Sequence, residues 1–405
     1  MFLEKKIIGL DILRFVIAIV MVTYHFQTLL ENSILNELAF NGFWGTSIFF
    51  ILSGFILTHV YYKNIEQHKF SITNFLIKRF FALYQIHIFT FLISLAFFFS
   101  LHIVMNKNFP LQLGVATLPG LVSDQTISVS FKDFLLYILE NLTLTHAWNY
   151  RFLFFNAASW SVSTLFFFYL CFFFIVKKLK KINNIKQTLI IFWFVSLIPI
   201  LYLTSLQNFS NEMIGFIHRN PLLRLTDFIF GIIFYLVCLK INKYSRYLQI
   251  FALFFAISGF LLTHYLVKND PENWFFLAHN GLFLFPQIAL IYVFLNIKIS
   301  NNKIKLIIEK LGKSSLTIYM LHFPLIAIYT TIYKLIIASF YSNNLKEIIS
   351  IGKDISSIVA SAYVFFIVIL IVISYYLQER LFTPIQIKIS RKLIEKKDDI
   401  ISSRN

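Results

Sequence analysis

Residues 7–30 read IIGLDILRFVIAIVMVTYHFQTLL, an apolar run broken by Asp11, Arg14 and His25. The run is long enough to cross the roughly 30 Å hydrocarbon core of a bilayer as a helix, and its three polar residues then need a reason to be there. Arg14 and His25 are eleven positions apart. That is roughly three full turns, so their side chains leave the helix on the same side, about 16 Å apart along its axis. Asp11, Arg14, Ala18, Val22 and His25 fall on one stripe at spacings of three and four, an ion-pair-capable face with a small residue in its middle. Taken singly, Arg14 can snorkel to nearby headgroups and His25 can be a hydrogen-bonded packing residue. Together on one face they point inward, because charged groups at membrane depth normally face a bundle interior or a watery cavity and mark a substrate or ion pathway.

The rest of the chain agrees with a membrane setting. Of its 405 residues 58% are hydrophobic, 50 of them Phe, well above an ordinary soluble domain. The fold class expected is all-α, a polytopic transmembrane bundle of about ten helices. Ten windows are long enough to span: residues 7–30, 42–62, 75–101, 160–177, 187–206, 222–239, 247–267, 275–297, 314–338 and 355–378. Residues 1–380 then form the membrane domain and 381–405 a charged tail, expected to be a frayed cytoplasmic helix. Most basic residues, among them Lys6, Lys63, Lys69, Lys177, Lys178, Lys180, Lys181 and Lys186, fall at the N-terminus, in the even-numbered loops or in the tail. Short basic loops stay inside, which puts both termini in the cytoplasm. The net charge of +17 needs no nucleic acid, since inside loops face anionic headgroups; a charged intracellular substrate could use the same field. Cys171 and Cys238 give no disulfide or metal pattern. The first run is too long and too charged for a signal-peptide core, and should remain as a span.

Several segments along the chain carry chemistry or close packing. Ser53-Gly54 sits among bulky neighbours in the second span, where small residues let helices approach. Lys78 and Arg79 open the third span and could hold phosphate oxygens, although positive-inside anchoring explains them as well. The long loop at about 102–159 contains Pro110, Gly114, Pro119 and Gly120 and the segment Leu144-Thr145-His146-Ala147-Trp148-Asn149-Tyr150-Arg151. Its rings and cation suit a sugar-binding rim, as they would an interfacial aromatic belt. Asn156-Ala157-Ala158-Ser159-Trp160-Ser161-Val162-Ser163 brings hydroxyls into the fourth span, and Arg224 and Asp227, three apart, can pair on the sixth. In the ninth, His322 lies two to three turns deep and Pro324 follows it, a disturbance of the kind that lines cavities. No P-loop, dinucleotide-binding glycine pattern, zinc spacing or serine nucleophile elbow is present, which argues against ATP hydrolysis and metal chemistry.

In this order the segments resemble acyltransferase family 3, the integral membrane O-acyltransferases, over nearly the whole chain. The family's Leu-Asp-x-Leu-Arg, with a His eleven residues after the Arg, is matched by Leu10, Asp11, Leu13, Arg14 and His25. Its Phe-Phe-x-Leu-Ser-Gly-Phe is similar to residues 49–55, its Trp-Ser-Leu-Ser to Trp160 through Ser163, and its Tyr-Leu-x-His-x-Pro to Tyr319 through Pro324. Three features depart from the family. The Arg-x-x-Arg at the start of the third span keeps only Arg79, with Ala82 in the second place, Leu165 replaces the Glu that follows the Trp-Ser motif, and the closing Glu-x-Pro-like element is stretched to Glu379 through Pro384. The role of the missing carboxylate is then either absent or supplied by another residue, such as Asp227 or Glu212.

The resemblance implies transfer of an acyl group, most often acetyl, from cytoplasmic acyl-CoA to a hydroxyl of a cell-envelope glycan such as lipopolysaccharide O-antigen, capsule or exopolysaccharide, in the bacterial cytoplasmic membrane. Acyl-CoA would be a substrate, with no tightly bound cofactor and no metal. The catalytic set implied is His25 and Arg14, with His322 and Asp11 beside them. Arg14, Lys78 and Arg79 would hold CoA phosphates, which a planar guanidinium suits. An imidazole near neutral pH can deprotonate a hydroxyl or be acylated itself. Ser53, Trp160, Ser161, Ser163, His146, Trp148, Arg224 and Asp227 are the candidates for holding substrate. A transporter or flippase of a lipid-linked glycan is the alternative, supported by the polar stripe and Pro-interrupted helices but by no visible inverted repeat. A purely structural subunit would leave the intramembrane ionisable groups without a purpose. The enzyme reading expects Arg14 and His25 to share a single sealed chamber.

Overall fold

The computed structural model describes residues 6–30, 33–104, 109–114, 126–241 and 245–402. Pro119 and Gly120 of the long loop lie outside the described residues. The chain opens with α1 (Ile8–Phe26), α2 (Ser33–Ala39), α3 (Trp44–Glu66) and α4 (Ile72–Val104). An antiparallel hairpin follows, β1 (Leu111–Gly114) and β2 (Thr126–Val129), with Leu111 opposite Val129. Next come α5 (Phe131–Leu142), α6 (Trp160–Leu179), α7 (Ile185–Ser205), α8 (Asn211–Arg219), α9 (Pro221–Leu239) and α10 (Arg246–Asn269). The chain ends with α11 (Pro271–His279), α12 (Leu284–Phe294), α13 (Asn302–Ser339), α14 (Leu345–Asp354), α15 (Ala360–Leu377) and α16 (Thr383–Ser402).

Among the described residues nine helical stretches are long and apolar enough to cross a membrane, and the pair α11–α12, bent by 47°, makes a tenth crossing if counted as one. The bent pair occupies the window expected at 275–297. The break sits at Asn280-Gly281, where Gly281 has φ +120°, a conformation side chains disfavour. The Gly281 carbonyl accepts from Trp193 Nε1 at 2.9 Å. Large apolar side chains on α7, α10 and α15, such as Phe194, Ile198, Phe254, Leu261 and Phe365, are exposed. Patches of this size are a liability in water and a solvent-matched face in lipid.

Rings from α3, α6 and α9 fill one core cluster, including Phe50, Phe55, Phe168, Phe172 and Phe228. Ser53-Gly54 brings α3 against α9, for a Cβ on Gly54 would lie 2.1 Å from the Phe228 carbonyl oxygen. A second cluster packs Ala18, Val22 and Phe26 of α1 on Ile318 and Leu321 of α13 and on Phe366 of α15. The stripe read from the sequence thus does face the interior, with its small middle in contact with α13. Among the described residues the long loop carries the hairpin and α5. Ser130 and Asp133 form a reciprocal capping box, each backbone N–H donating to the other's side chain at 3.2 Å, and this starts α5. The boundary expected at residue 380 falls inside a π-helical turn, Gln378–Phe382, that joins α15 to α16. Gln85 Nε2 donates to the Phe382 carbonyl at 2.7 Å and Gln386 Nε2 to that of Lys78 at 3.2 Å, so α16 begins docked on α4.

Candidate active site

α1 and α13 run side by side in the same sense. Gly312 lies against Asp11, where an added Cβ would come within 2.5 Å of the Asp11 Cβ, and His322 lies against His25. Nδ1 of His25 is 3.1 Å from Nε2 of His322, and the rings stack with centroids 4.9 Å apart. Nδ1 of His322 is bonded to the Tyr319 carbonyl oxygen. A carbonyl can only accept, so this nitrogen carries the proton and donates it. A neutral imidazole has one donor and one acceptor, so His322 Nε2 accepts from His25 Nδ1–H. The lone pair of His25 is thereby placed on Nε2. Pro324 has no N–H to offer the Met320 carbonyl, and Asn156 Nδ2 donates to that oxygen instead, at 2.8 Å, while also donating to Thr90 Oγ1 at 3.1 Å.

Two cavities flank this arrangement. One, of about 80 Å³, is lined by His25, Trp160, His218, His279 and Phe323 among others. The second, of about 130 Å³, is lined by Arg14, Ser53, Arg79, Ser161, Tyr169 and Ser315 among others. Thr46 and Tyr319 line both. The Tyr319 side chain stands beside Ser161 and Thr46 on the wall of the second cavity, and Ser161 donates to the Ala158 carbonyl at 2.9 Å. The sequence led us to expect a single chamber shared by Arg14 and His25; instead they line two neighbouring cavities, with a septum of Tyr319 and Thr46 between them. The reason lies in α13. Residues three apart share a helix face, so the helix that brings His322 to His25 also brings the phenol of Tyr319 to the depth between the two cavities.

The arginine cavity is built for an anion. Arg14 Nη1 is 3.7 Å from Asp11 Oδ1, and 28% of its side chain remains accessible. The Arg79 guanidinium stands over the rings of Tyr61 and Phe75, 5.6 and 6.0 Å from their centroids, and donates to the Tyr61 hydroxyl at 3.5 Å. Its buried Nε has no hydrogen-bond partner among the described residues, and an unmet buried donor is costly. Lys78 does not join them. It lines a surface groove with Gln386, Ser390 and Arg391 of α16, because successive helical residues project about 100° apart.

The remaining candidates divide. Ser53 lines the arginine cavity beside Tyr169, and Trp160 and Ser161 reach the cavities. Ser163 does not: its hydroxyl donates to the Leu144 carbonyl at 2.5 Å and accepts from Ala147 N–H at 3.3 Å, tying down the turn that follows α5. His146 is buried in neither cavity, with Nε2 3.1 Å from Ser159 Oγ and its ring stacked on His87 at 5.2 Å. Trp148 lies on a separate surface groove. Arg224 and Asp227 do pair, at 2.8 Å, but with no side-chain exposure and outside both cavities. Arg224 Nη2 donates to Ser47 Oγ at 2.7 Å and Nη1 to the His279 carbonyl, so this pair ties α9 to α3 and α11. Asp227 and Glu212 both lie outside the two cavities. Leu165 itself lines the arginine cavity, and no carboxylate lines either cavity among the described residues.

Sequence reasoning missed His218 and His279. Their rings stack face to face, 4.3 Å apart and 5° from parallel, and His218 also lies 5.0 Å from Trp160. His279 is 1% exposed, and neither of its ring nitrogens has a hydrogen-bond partner among the described residues. The one available signal was the Asn280-Gly281 pair that ends α11 directly after His279.

A family model described as an acyltransferase domain, that of acyltransferase family 3, matches residues 7–379. No curated protein and no solved structure matches the chain. With the match running from the start of α1 through α15, over every helix that contributes to the two cavities, the chain belongs to acyltransferase family 3 and is a multi-pass membrane acyltransferase.

Proposed function

We propose that this acyltransferase takes an acyl group, acetyl in the simplest case, from acyl-CoA bound at the arginine cavity and transfers it to a hydroxyl of a cell-envelope glycan entering the histidine cavity. In this reading the membrane is the bacterial cytoplasmic one, both termini are cytoplasmic, and the arginine end of the bundle faces the coenzyme. The observation that carries it is the chain of contacts from the Tyr319 carbonyl through His322 to His25 Nδ1, which leaves His25 Nε2 as the free acceptor in a cavity that meets the arginine cavity across Tyr319 and Thr46. Arg14 and Arg79 bind phosphate oxygens through charge-assisted bonds. His25 Nε2 accepts the proton of the acceptor hydroxyl while its oxygen attacks the thioester carbonyl carbon. A C–O bond forms, the C–S bond breaks, and the imidazolium returns the proton to the departing thiolate. His322 accepts from His25 Nδ1 throughout, the part a carboxylate plays beside the histidine of a hydrolase triad. Ser53 offers a hydroxyl for the oxyanion. Since the bond forms between the cavities, Tyr319 yields when both substrates are seated.

The test is transfer of label from acetyl-CoA labelled in the acetyl group to the surface glycan of the host, by purified protein in lipid vesicles. Base-labile label on the glycan is expected. Movement of glycan across the vesicle wall with no label on it would replace this reading with the transport one.

A further inference from the structure

A groove of about 470 Å³ lies at the same end of the bundle as His25, apart from both cavities. It is formed by Glu140 of α5, by Trp148, Asn149, Tyr150 and Arg151 in the segment after it, and by Glu212 of α8. Its floor is fixed. Asn149 Nδ2 donates to Glu140 Oε2 at 2.8 Å, and Asn149 Oδ1 accepts from the N–H groups of Arg151 and Phe152 at 3.1 and 3.2 Å. The Tyr150 carbonyl accepts from Arg219 Nη2 at 2.6 Å, and its hydroxyl accepts from Asn220 Nδ2 at 3.0 Å. The Trp148 indole is 38% exposed and braced edge-on by Phe167 at 5.3 Å.

A flat ring beside two carboxylates, an amide and one guanidinium matches a pyranose, which has an apolar face of C–H bonds and a rim of hydroxyls. It does not match a phosphate, since the carboxylates outnumber the cation. Interfacial placement explains an exposed Trp, and a helix N-terminus explains Glu212. Neither explains why half-buried Glu140 faces the same groove. The groove is also wired to the reaction cavity. α8 carries Glu212 at one end and His218 at the other, six residues apart, or about 9 Å along the axis.

We infer that this groove is a subsite for the sugar units next to the one being acylated, so that the acceptor is an oligosaccharide laid along α8 and not a single sugar. The inference rests on the transfer reading above. It commits the acceptor to at least two units, with a non-acidic unit over Trp148.

The experiment uses full-length protein in vesicles, acetyl-CoA, and fragments of the host's surface glycan one and three units long. Wild type is expected to use the three-unit fragment with a kcat/KM about tenfold higher than the one-unit fragment, a preference equal to a single strong contact. In Trp148→Ala and in Glu212→Gln that ratio is expected to fall toward one. Direct binding of the three-unit fragment without donor should weaken by a similar factor in both variants. Transfer with no length preference in wild type, or an undiminished ratio in both variants, overturns the subsite. Length-dependent binding that is sensitive to Trp148, with no transfer by wild type, would keep the subsite and overturn the transfer reading instead.

Discussion

The two cavities are neighbours of similar size built from opposite materials. One is lined by guanidinium groups and hydroxyls, the other by imidazoles and aromatic rings, and α13 supplies residues to both through Ser315 and Tyr319. Guanidinium groups hold charge without giving up protons, whereas imidazoles exchange protons near neutral pH. The difference teaches that this fold keeps its buried guanidinium groups and its imidazoles apart, and lets one helix set the distance between them; in the proposed transfer this separates anion binding from proton transfer.

The sharpest test of that division is His25→Ala. Losing a positioned base typically costs 10²–10⁴-fold, so kcat should fall by about that factor while KM for acetyl-CoA stays near wild type, measured by release of free thiol with saturating glycan. A rise in the donor KM alone would erase the distinction between the cavities. Arg79→Ala should do the converse. A lost hydrogen bond to a charged group costs about 1.5–3 kcal/mol, so the donor KM should rise about ten- to hundredfold with the glycan KM unmoved. An equal rise in both would mean that the guanidinium serves the septum and not the coenzyme.

A smaller effect is expected at the septum itself. Tyr319→Phe keeps the ring and removes the hydroxyl that faces Ser161 and Thr46. One neutral hydrogen bond is worth about 0.5–1.5 kcal/mol, so transfer should change by about two- to tenfold. Hydrolysis of acetyl-CoA without glycan should rise, because water then passes more easily from one cavity to the other. If hydrolysis stays at the wild-type level, the two cavities are separated by something other than this phenol.

Much of this was legible beforehand, and what was not has physical causes. The stripe on α1 could be read because helical period alone brings Arg14 and His25 to one face, and the spans could be read because hydropathy alone determines them. The pairing of Arg224 with Asp227 was legible for the same local reason, but its burial was not, since that depends on Ser47 and His279 arriving from α3 and α11. His218 and His279 meet only through tertiary packing, and the second sits at the end of a window that reads as one continuous span. The hydroxyls of Ser161 and Ser163 are two residues apart in sequence, yet helical geometry sends them to a cavity and to a loop respectively.

The same geometry yields the smallest predicted effect. Lys78 and Arg79 are adjacent, both basic, and equally plausible as phosphate ligands on composition. One turns onto the groove beside α16 and the other into the arginine cavity. Lys78→Ala should therefore behave as an ordinary surface substitution, within about 0.5 kcal/mol, and move the donor KM by no more than about twofold. The comparison with Arg79→Ala is informative because total charge drops equally in both. If binding depended only on a positive field at that end of the bundle, the two variants would weaken acetyl-CoA alike and both effects would vanish in high salt. If it depends on a fork of N–H donors held over Tyr61 and Phe75, only Arg79→Ala weakens it, and the loss persists as salt rises because screening acts far less on a buried contact.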